Sequence, residues 1–143
     1  MARESFVDTS GFYALLARDD DRHAAAVAVL ARARDKRAVF VTTDYVLDET
    51  VTLLGARGHR NLVQRFLQIT LHSPACRIEW TDVARFSKTA DFLAKHIDHD
   101  WSFTDCLSFV VMKELGLHDA LTKDSHFEEA GFTSLLRERA RKR

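Results

Sequence analysis

The sequence has few of the features that mark secreted, membrane-spanning or zinc-binding proteins. It contains two cysteines, Cys76 and Cys106, and neither belongs to a Cys-x-x-Cys pair or to a zinc-binding pattern. No apolar run approaches the roughly 20 residues of a membrane-spanning helix. The segment from Met1 to Ser5 lacks the apolar stretch of a signal peptide. We therefore predict a cytoplasmic protein with free thiols and no membrane association.

Residues that interrupt helices and strands are also scarce, with five glycines and one proline among 143 residues. Because the chain has no internal repeat and no low-complexity linker, we predict one domain over residues 1–136. The formal net charge is zero, which excludes a generally basic nucleic-acid coat and leaves only a local patch for contact with RNA or DNA. Residues 137–143 form a basic tail, which we interpret as a solvated terminus in preference to a contact with RNA or a partner protein.

The sequence does contain a regular alternation of apolar runs and amphipathic stretches. The apolar runs predict five strands, near residues 5–7, 38–41, 76–80, 120–122 and 132–135. The stretches between them predict helices over residues 10–18, 44–57, 61–71, 104–115 and 125–130, with two more that begin at caps on Asp21 and Thr81. Strands that alternate with helices favour right-handed crossovers, so we expect an α/β fold with a mainly parallel five-stranded sheet and helices on both faces.

Three carboxylates, Asp8, Asp105 and Asp124, stand where a strand or loop passes into a predicted helix. In a parallel sheet, ligands bind at the carboxyl ends of the strands. Asp8 and Asp124 follow strands directly, and Asp105 precedes its helix in the same kind of position. The expected architecture therefore favours convergence of the three side chains on one edge of the sheet.

Capping is the structural alternative for each of these acids, because aspartate, serine and threonine are common first residues of helices. Asp8 or Ser10 could cap the first helix. Asp105 fits the last position of a capping box that begins three residues earlier. Ser125 and the glutamate three residues after it form a more regular capping box, which would leave Asp124 free.

Glu49 is a fourth carboxylate, and capping does not explain it because it lies in the middle of a predicted helix. On helical spacing it shares a stripe with Tyr45, Val46 and Leu53, the face that we expect to be buried. A glutamate on a core-facing stripe needs an arginine, a lysine or a metal ion as its partner. This position argues most strongly for a metal site.

Carboxylate oxygens favour hard cations such as Mg²⁺ or Mn²⁺ over Zn²⁺. Such ions activate water and shield an attacked phosphate. Thr9, Ser10 and Thr104 place hydroxyls beside the acids, where they are suited to hydrogen-bond the metal ligands. The sequence thus predicts a divalent-metal site that supports phosphate chemistry.

Other polar groups receive structural interpretations. The acidic run over residues 19–21 is interpreted as a solvated loop that caps the second helix. His96 and His99 have the spacing of zinc ligands, but no second ligand pair follows at the required distance. His126 lies close to Asp124, and we favour a helix-surface role for it over contact with a substrate.

Four segments of the chain resemble the PIN-domain ribonucleases, specifically the VapC-type toxins of toxin–antitoxin pairs. They are FVDTSGFYALL, DYVLDETVTLL, WSFTDCLSFVVMKELG and ALTKDSHFEEAGF, in the order and spacing of that family. WSFTDCLSF followed by ALT-x-D-x-HF-x-x-AGF is specific, whereas DTS alone would be weak. The resemblance spans residues 5–135 and implies a PIN-like three-layer sandwich.

The resemblance also implies functional properties. Asp8, Glu49, Asp105 and Asp124 would be the acidic quartet of the family, with Asp8 and Asp105 the surest metal ligands. The site would use Mg²⁺ or Mn²⁺ to hydrolyse an RNA phosphodiester with water as the nucleophile. The implied partners are a small VapB-like antitoxin, which inserts a peptide near the site, and a second copy of the chain in a homodimer.

Three other enzyme classes fit the sequence less well. A haloacid-dehalogenase-type phosphatase needs Asp-x-Asp after the first strand, but Ser10 stands at the second acidic position. A ribonuclease H-like enzyme continues from its first acid into antiparallel strands, and a receiver domain carries an acidic pair before its first helix. The alternative from another class is a non-catalytic PIN-fold module that binds RNA or a protein.

Overall fold

The computed structural model describes residues 3–137 of the chain, over which five strands alternate with helices. The strands are β1 (Glu4–Val7), β2 (Val39–Thr43), β3 (Cys76–Glu79), β4 (Asp119–Leu121) and β5 (Thr133–Ser134). The helices are α1 (Thr9–Leu16), α2 (His23–Asp35), α3 (Asp44–Ala56), α4 (Val63–His72), α5 (Val83–Lys95), α6 (Phe103–Leu115) and α7 (Ser125–Glu129), with a 3-10 turn over Arg60–Leu62 before α4. Each predicted strand and helix is present, with its ends shifted by a few residues. Of the predicted basic tail, residues 138–143 lie outside the described residues.

The five strands form one sheet in the order β3-β2-β1-β4-β5, and every neighbouring pair is parallel. The chain builds β1, β2 and β3 outward in one direction and then returns to the other side of β1 with β4 and β5. The strand order therefore reverses between β1 and β4. In α/β sheets a crevice opens beyond the carboxyl ends of the strands at such a reversal, and ligands bind there.

The two strands at this reversal are buried and closely aligned. Val7 lies opposite Leu121 in the parallel register, and both residues are almost fully buried. The backbone amide of Asp8 donates to the carbonyl oxygen of Leu121 at 3.2 Å, which continues the pairing one residue past β1. The residues that follow the two strands, Asp8 and Thr122, consequently lie side by side at the edge of the sheet.

Helix α6 is buried over residues 105–112, so its ends need partners within the protein. The hydroxyl of Ser102 accepts a hydrogen bond from the amide of Asp105 at 3.0 Å, and the carboxylate of Asp105 accepts one from the amide of Ser102 at 3.1 Å. The predicted capping box is therefore confirmed. At the other end Gly116 adopts the left-handed conformation, with φ of 67°, that closes the helix.

The caps predicted for two other helices are wrong. Asp82 caps α5 by accepting from an amide three residues on at 2.8 Å, whereas the hydroxyl of Thr81 donates to Asp44 in α3 at 2.7 Å. Arg22 occupies the N-cap position of α2, and no side chain caps that helix. Asp20, and not Asp21, accepts from the amide of Arg22 at 2.9 Å, in the turn before the helix. Among the described residues, no helix combines the length and apolarity needed to cross a membrane.

Gly11 allows α1 to approach β4 closely, and its replacement tests this contact. A Cβ atom at Gly11 would collide with the carbonyl oxygen of Leu121 and would lie 2.8 Å from its carbonyl carbon. Because these are backbone atoms that cannot rotate away, we expect Gly11→Ala to lower the free energy of unfolding by about 3 kcal/mol or more, as measured by urea denaturation.

Gly55→Ala is the matched control for this substitution. Gly55 also lies in a helix, α3, but its Cβ would meet no atom within 4 Å. We expect this change to raise the free energy of unfolding by up to about 1 kcal/mol through helix propensity. Equal effects of the two substitutions would contradict the close packing of α1 on β4.

Candidate metal centre

Asp8 is a buried carboxylate without a cationic partner among the described residues. It directly follows β1 and is only 4% exposed. Its Oδ2 accepts hydrogen bonds from the hydroxyls of Thr122 at 3.1 Å and Ser10 at 3.4 Å. Asp8 occupies the N-cap position of α1, but its side chain accepts no capping hydrogen bond. Capping therefore does not account for an acid at this position.

The environment of Asp8 strongly opposes its negative charge. Burial raises the pKa of Asp8 to about 7, and the negative charge of Asp105 adds to the rise. Hydrogen bonds from the backbone of Thr9 and from the hydroxyl of Thr122 act in the opposite direction but do not compensate. A carboxylate with this much uncompensated charge is characteristic of a functional site, and a bound cation would relieve the repulsion.

Asp105 lies in the first turn of α6 and has two roles at once. It is buried, and its Oδ2 accepts from the capping-box amide of Ser102 and lies 2.9 Å from Nδ1 of His126. Burial raises the pKa of Asp105, as does the charge of Asp124, while the hydrogen bonds with Ser102 and His126 lower it. Capping and membership of the acidic cluster were alternatives in the sequence, and the structure combines them.

Asp124 and His126 complete a group of candidate metal donors with Asp105. Single donor atoms of these three residues all lie within 4.8 Å of one another. Asp124 caps α7 by accepting from the amide of His126 at 3.0 Å, so the prediction that Ser125 forms this cap is wrong. This cap turns the chain so that the imidazole of His126 faces Asp105.

His126 therefore lies in the acidic cluster, in contrast to the helix-surface role that the sequence favoured. Partial burial lowers its pKa, but the hydrogen bond to Asp105 and the charges of Asp124, Asp105 and Glu129 outweigh that effect and raise it. The Asp-x-His spacing after a strand was the available signal. It was insufficient because the partner, Asp105, lies 21 residues away in the sequence.

Glu49 does not face the core, and the prediction of a buried stripe is wrong for this residue. Val46 on the same stripe is fully buried, but Tyr45 and Leu53 are half-buried and Glu49 is exposed. Val46 of α3 therefore packs in the core, whereas Glu49, about one turn further along the helix, faces the open cleft. Glu49 lines that cleft together with Asp8 and Asp124.

The charges of two other predicted acids act on the carboxylate of Glu49. Partial burial raises its pKa, and the charges of Asp105 and Asp124 contribute to the rise. The hydroxyls of Thr9 and Thr104 act in the opposite direction by hydrogen bonding. The pKa values of Asp8, Glu49 and Asp105 are therefore each raised in part by the charge of another of the four predicted acids.

The hydroxyls predicted to support the site lie around the acids, and one more was missed. Ser10 donates to Asp8, lies 3.0 Å from the hydroxyl of Thr122, and accepts from the amide of Lys123 at 3.0 Å. Thr9 lies within 3.5 Å of the carbonyl oxygen of Val46 in α3. Thr122 was not predicted, although its position one residue past β4 is equivalent to that of Asp8 past β1.

The acidic run before α2 is part of the structure around the cleft. The side chain of Asp20 is only 4% exposed and lies 2.9 Å from Nζ of Lys123, which also pairs with Asp21 at 3.3 Å. The prediction of a solvated loop is therefore wrong for Asp20. Lys123 lines the cleft, and its positive charge is paired with these two aspartates.

The donor set of the cluster fits a divalent cation. Asp8 and Asp105 are buried carboxylates with raised pKa values, and among residues 3–137 neither is paired with an arginine or lysine. Asp124 and Glu49 add carboxylate oxygens on the open side of the cleft. Oxygen-rich sites of this kind favour Mg²⁺ or Mn²⁺. The residues present are therefore suited to bind such an ion.

Neither cysteine offers a competing chemistry. Burial raises the pKa of Cys76 to about 11, and burial with the charge of Asp105 does the same for Cys106. Both side chains are thus protonated thiols at neutral pH, and a thiol is a poor nucleophile compared with a thiolate. Both cysteines are free, and Cys106 is the buried core residue that the sequence predicted.

Comparison with known proteins identifies the family of the chain. Residues 5–133 match the PIN domain. The 23S rRNA-specific endonuclease VapC20 of Mycobacterium tuberculosis is 37% identical over 131 residues, which cover 91% of this chain and 96% of that protein. A VapC ribonuclease of Archaeoglobus fulgidus is 30% identical over 125 residues, which cover 86% of this chain and 78% of the relative.

Solved structures show the same fold. The crystal structure of Mycobacterium tuberculosis VapC20, described as a sarcin–ricin loop cleaving toxin, superposes with a TM-score of 0.80 and 34% sequence identity, over 90% of this chain and 95% of that one. FitAcB from Neisseria gonorrhoeae superposes with a TM-score of 0.59 and 13% identity, over 90% and 94% of the two chains. The second likeness concerns the fold alone.

Proposed function

The chain belongs to the PIN-domain family and, within it, to the VapC-type nucleases, and from this premise we propose that it is a metal-dependent endoribonuclease toxin of a toxin–antitoxin pair. The observation that carries the proposal is the group of four acids at the reversal of strand order. Asp8, Glu49 and Asp124 line one cleft, Asp105 lies beside Asp124, and the charge of Asp105 raises the pKa of Asp8. No single structural need, such as capping, explains all four.

We assign the metal to Asp8 and Asp105 first, with Glu49 and Asp124 completing the site, and we propose Mg²⁺ or Mn²⁺ as the ion. A bound divalent ion supplies shielding of the attacked phosphate and a lowered pKa for bound water. The hydroxyls of Thr122 and Ser10 hold the Asp8 carboxylate, and Ser102 and His126 hold that of Asp105. These contacts fix both ligand oxygens before an ion or substrate arrives.

Glu49 and Asp124, besides completing the metal site, are suited to contact the attacking water. Glu49 is exposed to the cleft, and its pKa is raised, which makes its carboxylate a better proton acceptor than an ordinary glutamate. Asp124 lies on the same open side and can accept a hydrogen bond that orients the water.

We propose RNA as the substrate and, as partners, a VapB-like antitoxin and a second copy of the chain. Support for RNA comes from the two relatives, one named as a 23S rRNA-specific endonuclease and one as a ribonuclease. Support for a protein interface comes from Trp80, Val83 and Phe86, large apolar residues exposed together after β3. Light scattering gives the mass of the purified chain, alone and mixed with its antitoxin, and so measures dimer formation and antitoxin binding. A monomer whose mass does not change when the antitoxin is added would refute both proposals.

The test of the proposed activity is cleavage of RNA by purified protein with Mg²⁺, with Mn²⁺ and with a chelator in excess. We use 23S rRNA and transfer RNA as substrates and detect new ends by primer extension. We expect cleavage with either ion, none in chelator, and recovery when the ion is returned. Equal cleavage in chelator would contradict a metal-dependent nuclease, and binding of RNA without cleavage under any condition would favour the non-catalytic module.

A further inference from the structure

The cleft beside the acids contains a cation that the proposed mechanism does not use. Glu49, Leu53 and Arg57 recur at intervals of four residues along α3 and past its end, and all three line the cleft with Asp8 and Asp124. Arg57 thus lies about two helical turns from Glu49, on the same side of the helix. It is an exposed residue at the rim of the cleft.

An aromatic ring holds Arg57 in place. The guanidinium carbon lies 4.8 Å from the centroid of the Tyr13 ring. Tyr13 is only 6% exposed and also meets the ring of His59 edge-on, with centroids 5.8 Å apart, so it forms a fixed platform. A guanidinium stacked on a ring keeps its N–H donors free at its edge.

Arg57 also lacks a carboxylate partner, although acids surround it. Within residues 3–137, arginine side chains such as Arg3, Arg77 and Arg85 pair with aspartate or glutamate, whereas Arg57 makes no ion pair. Lys123, the other cation that lines the cleft, is paired with Asp20 and Asp21. Arg57 is therefore the cleft cation, among the described residues, whose charge remains available to an anion.

We propose that Arg57 binds a backbone phosphate of the RNA next to the phosphodiester that is cleaved, and so positions the strand over the acids. The inference rests on the proposed function, because it takes the RNA substrate from it. A planar guanidinium can donate two parallel hydrogen bonds to one phosphate, which suits a phosphate that must lie at a defined distance from the reacting one. Arg57 is a positioning residue in this account, since the acids carry the chemistry.

Arg57 also occupies the C-terminal end of α3, where a positive charge interacts favourably with the helix dipole. That role would act on the stability of the helix and not on RNA. The two roles therefore predict different measurements, and the experiment separates them.

The experiment compares Arg57→Gln and Arg57→Lys with the control Arg65→Gln, an exposed arginine in α4 that does not line the cleft. Binding of a fluorescently labelled single-stranded RNA oligonucleotide is measured in chelator, so that the RNA stays intact, over a series of salt concentrations. We expect Arg57→Gln to weaken binding about tenfold and to reduce the slope of log affinity against log salt by about 0.7, the contribution of one phosphate contact.

In steady-state cleavage we expect Arg57→Gln to raise KM about tenfold with kcat nearly unchanged, because the lost contact is made equally before and during reaction. Arg57→Lys should recover the salt slope but only part of the affinity, since lysine keeps the charge and loses the planar fork. Arg65→Gln should leave the RNA affinity and the salt slope close to their wild-type values.

Wild-type affinity, salt slope and KM in Arg57→Gln would overturn the inference, as would a lower melting temperature with unchanged RNA binding. Either result would leave the proposed function intact. Failure of the proposed function would instead appear as RNA cleavage that is equally fast with and without the chelator. The RNA-binding measurements do not depend on that result.

Discussion

Asp8→Asn is expected to abolish RNA cleavage without harming the fold. Asparagine keeps the shape of the side chain and an oxygen that can accept from Thr122 and Ser10, but it loses the negative charge that we assign to metal binding. Substitution of residues that only support a metal ligand typically costs about 10- to 100-fold in activity, so loss of a ligand should cost more than about 100-fold. The measurement is the initial rate of cleavage at saturating Mg²⁺ or Mn²⁺.

The stability of the same variant distinguishes loss of chemistry from loss of structure. Asp8 is buried, and among the described residues it has no cationic partner, so its neutralisation removes repulsion from the folded state. We expect the melting temperature of Asp8→Asn in chelator to equal or exceed that of the wild type. Asp48→Asn, an exposed neighbour of Glu49, is the control and should leave cleavage and stability unchanged. Substantial cleavage by Asp8→Asn would remove Asp8 from the site.

The metal-free protein is expected to lose stability as the pH rises from about 4 to above 7, the reverse of the usual behaviour of aspartate-rich proteins. The pKa of Asp8 is raised to about 7 in the folded state from 3.8. Between those values the folded protein binds the proton more tightly than the unfolded chain, so deprotonation favours unfolding. The difference corresponds to a loss on the order of 4 kcal/mol once the pH exceeds 7.

Other titratable groups in the acidic cluster also lower the stability of the folded protein as the pH rises. The raised pKa values of Asp105 and Glu49 disfavour the folded state as the pH rises. His126, whose pKa is also raised, stabilises the fold when protonated, and that contribution is lost as the pH rises through its folded pKa. The lowered pKa values of Asp20 and Glu114 act oppositely but only in the acidic range, where unfolded carboxyl groups titrate.

Urea denaturation in chelator from pH 5 to pH 8 measures this dependence. We expect the free energy of unfolding to fall across the range in the wild type and to fall much less in Asp8→Asn. Adding Mn²⁺ should restore stability most at the alkaline end, because a cation binds the ionised carboxylates. A wild-type stability that rises with pH in chelator would contradict the burial of an unpaired charge at Asp8.

Helix caps and the proposed metal ligands coincide in this fold for a geometric reason. Helices begin at the carboxyl edge of a parallel sheet, where capping aspartates are favoured, and the crevice of the sheet opens at that same edge. Asp105 accepts from the amide of Ser102 and belongs to the cluster, and Asp124 caps α7 beside it. The capping alternative for these two residues was therefore correct as local structure and did not exclude a functional role.

The alternation of apolar runs, the helix propensities and the placement of acids after strands determined the α/β class and three positions of the candidate site. These signals act over a few residues, since hydrophobic periodicity and capping are local, and they are therefore readable from sequence. The helical spacing of Glu49 added the fourth position, although the burial from which that prediction was argued is wrong. The sequence also placed the buried Cys106 and the capping box of α6 correctly.

Only the tertiary structure decided which side chains meet. Thr122 contacts Asp8 across 114 residues because β4 lies beside β1 in the sheet, and His126 contacts Asp105 across 21 residues where the starts of α7 and α6 lie together. The same tertiary arrangement decides three other features: the exposure of Glu49, the burial of Asp20 and the unpaired guanidinium of Arg57. Local patterns do not encode strand order, because it is set by the packing of the whole core.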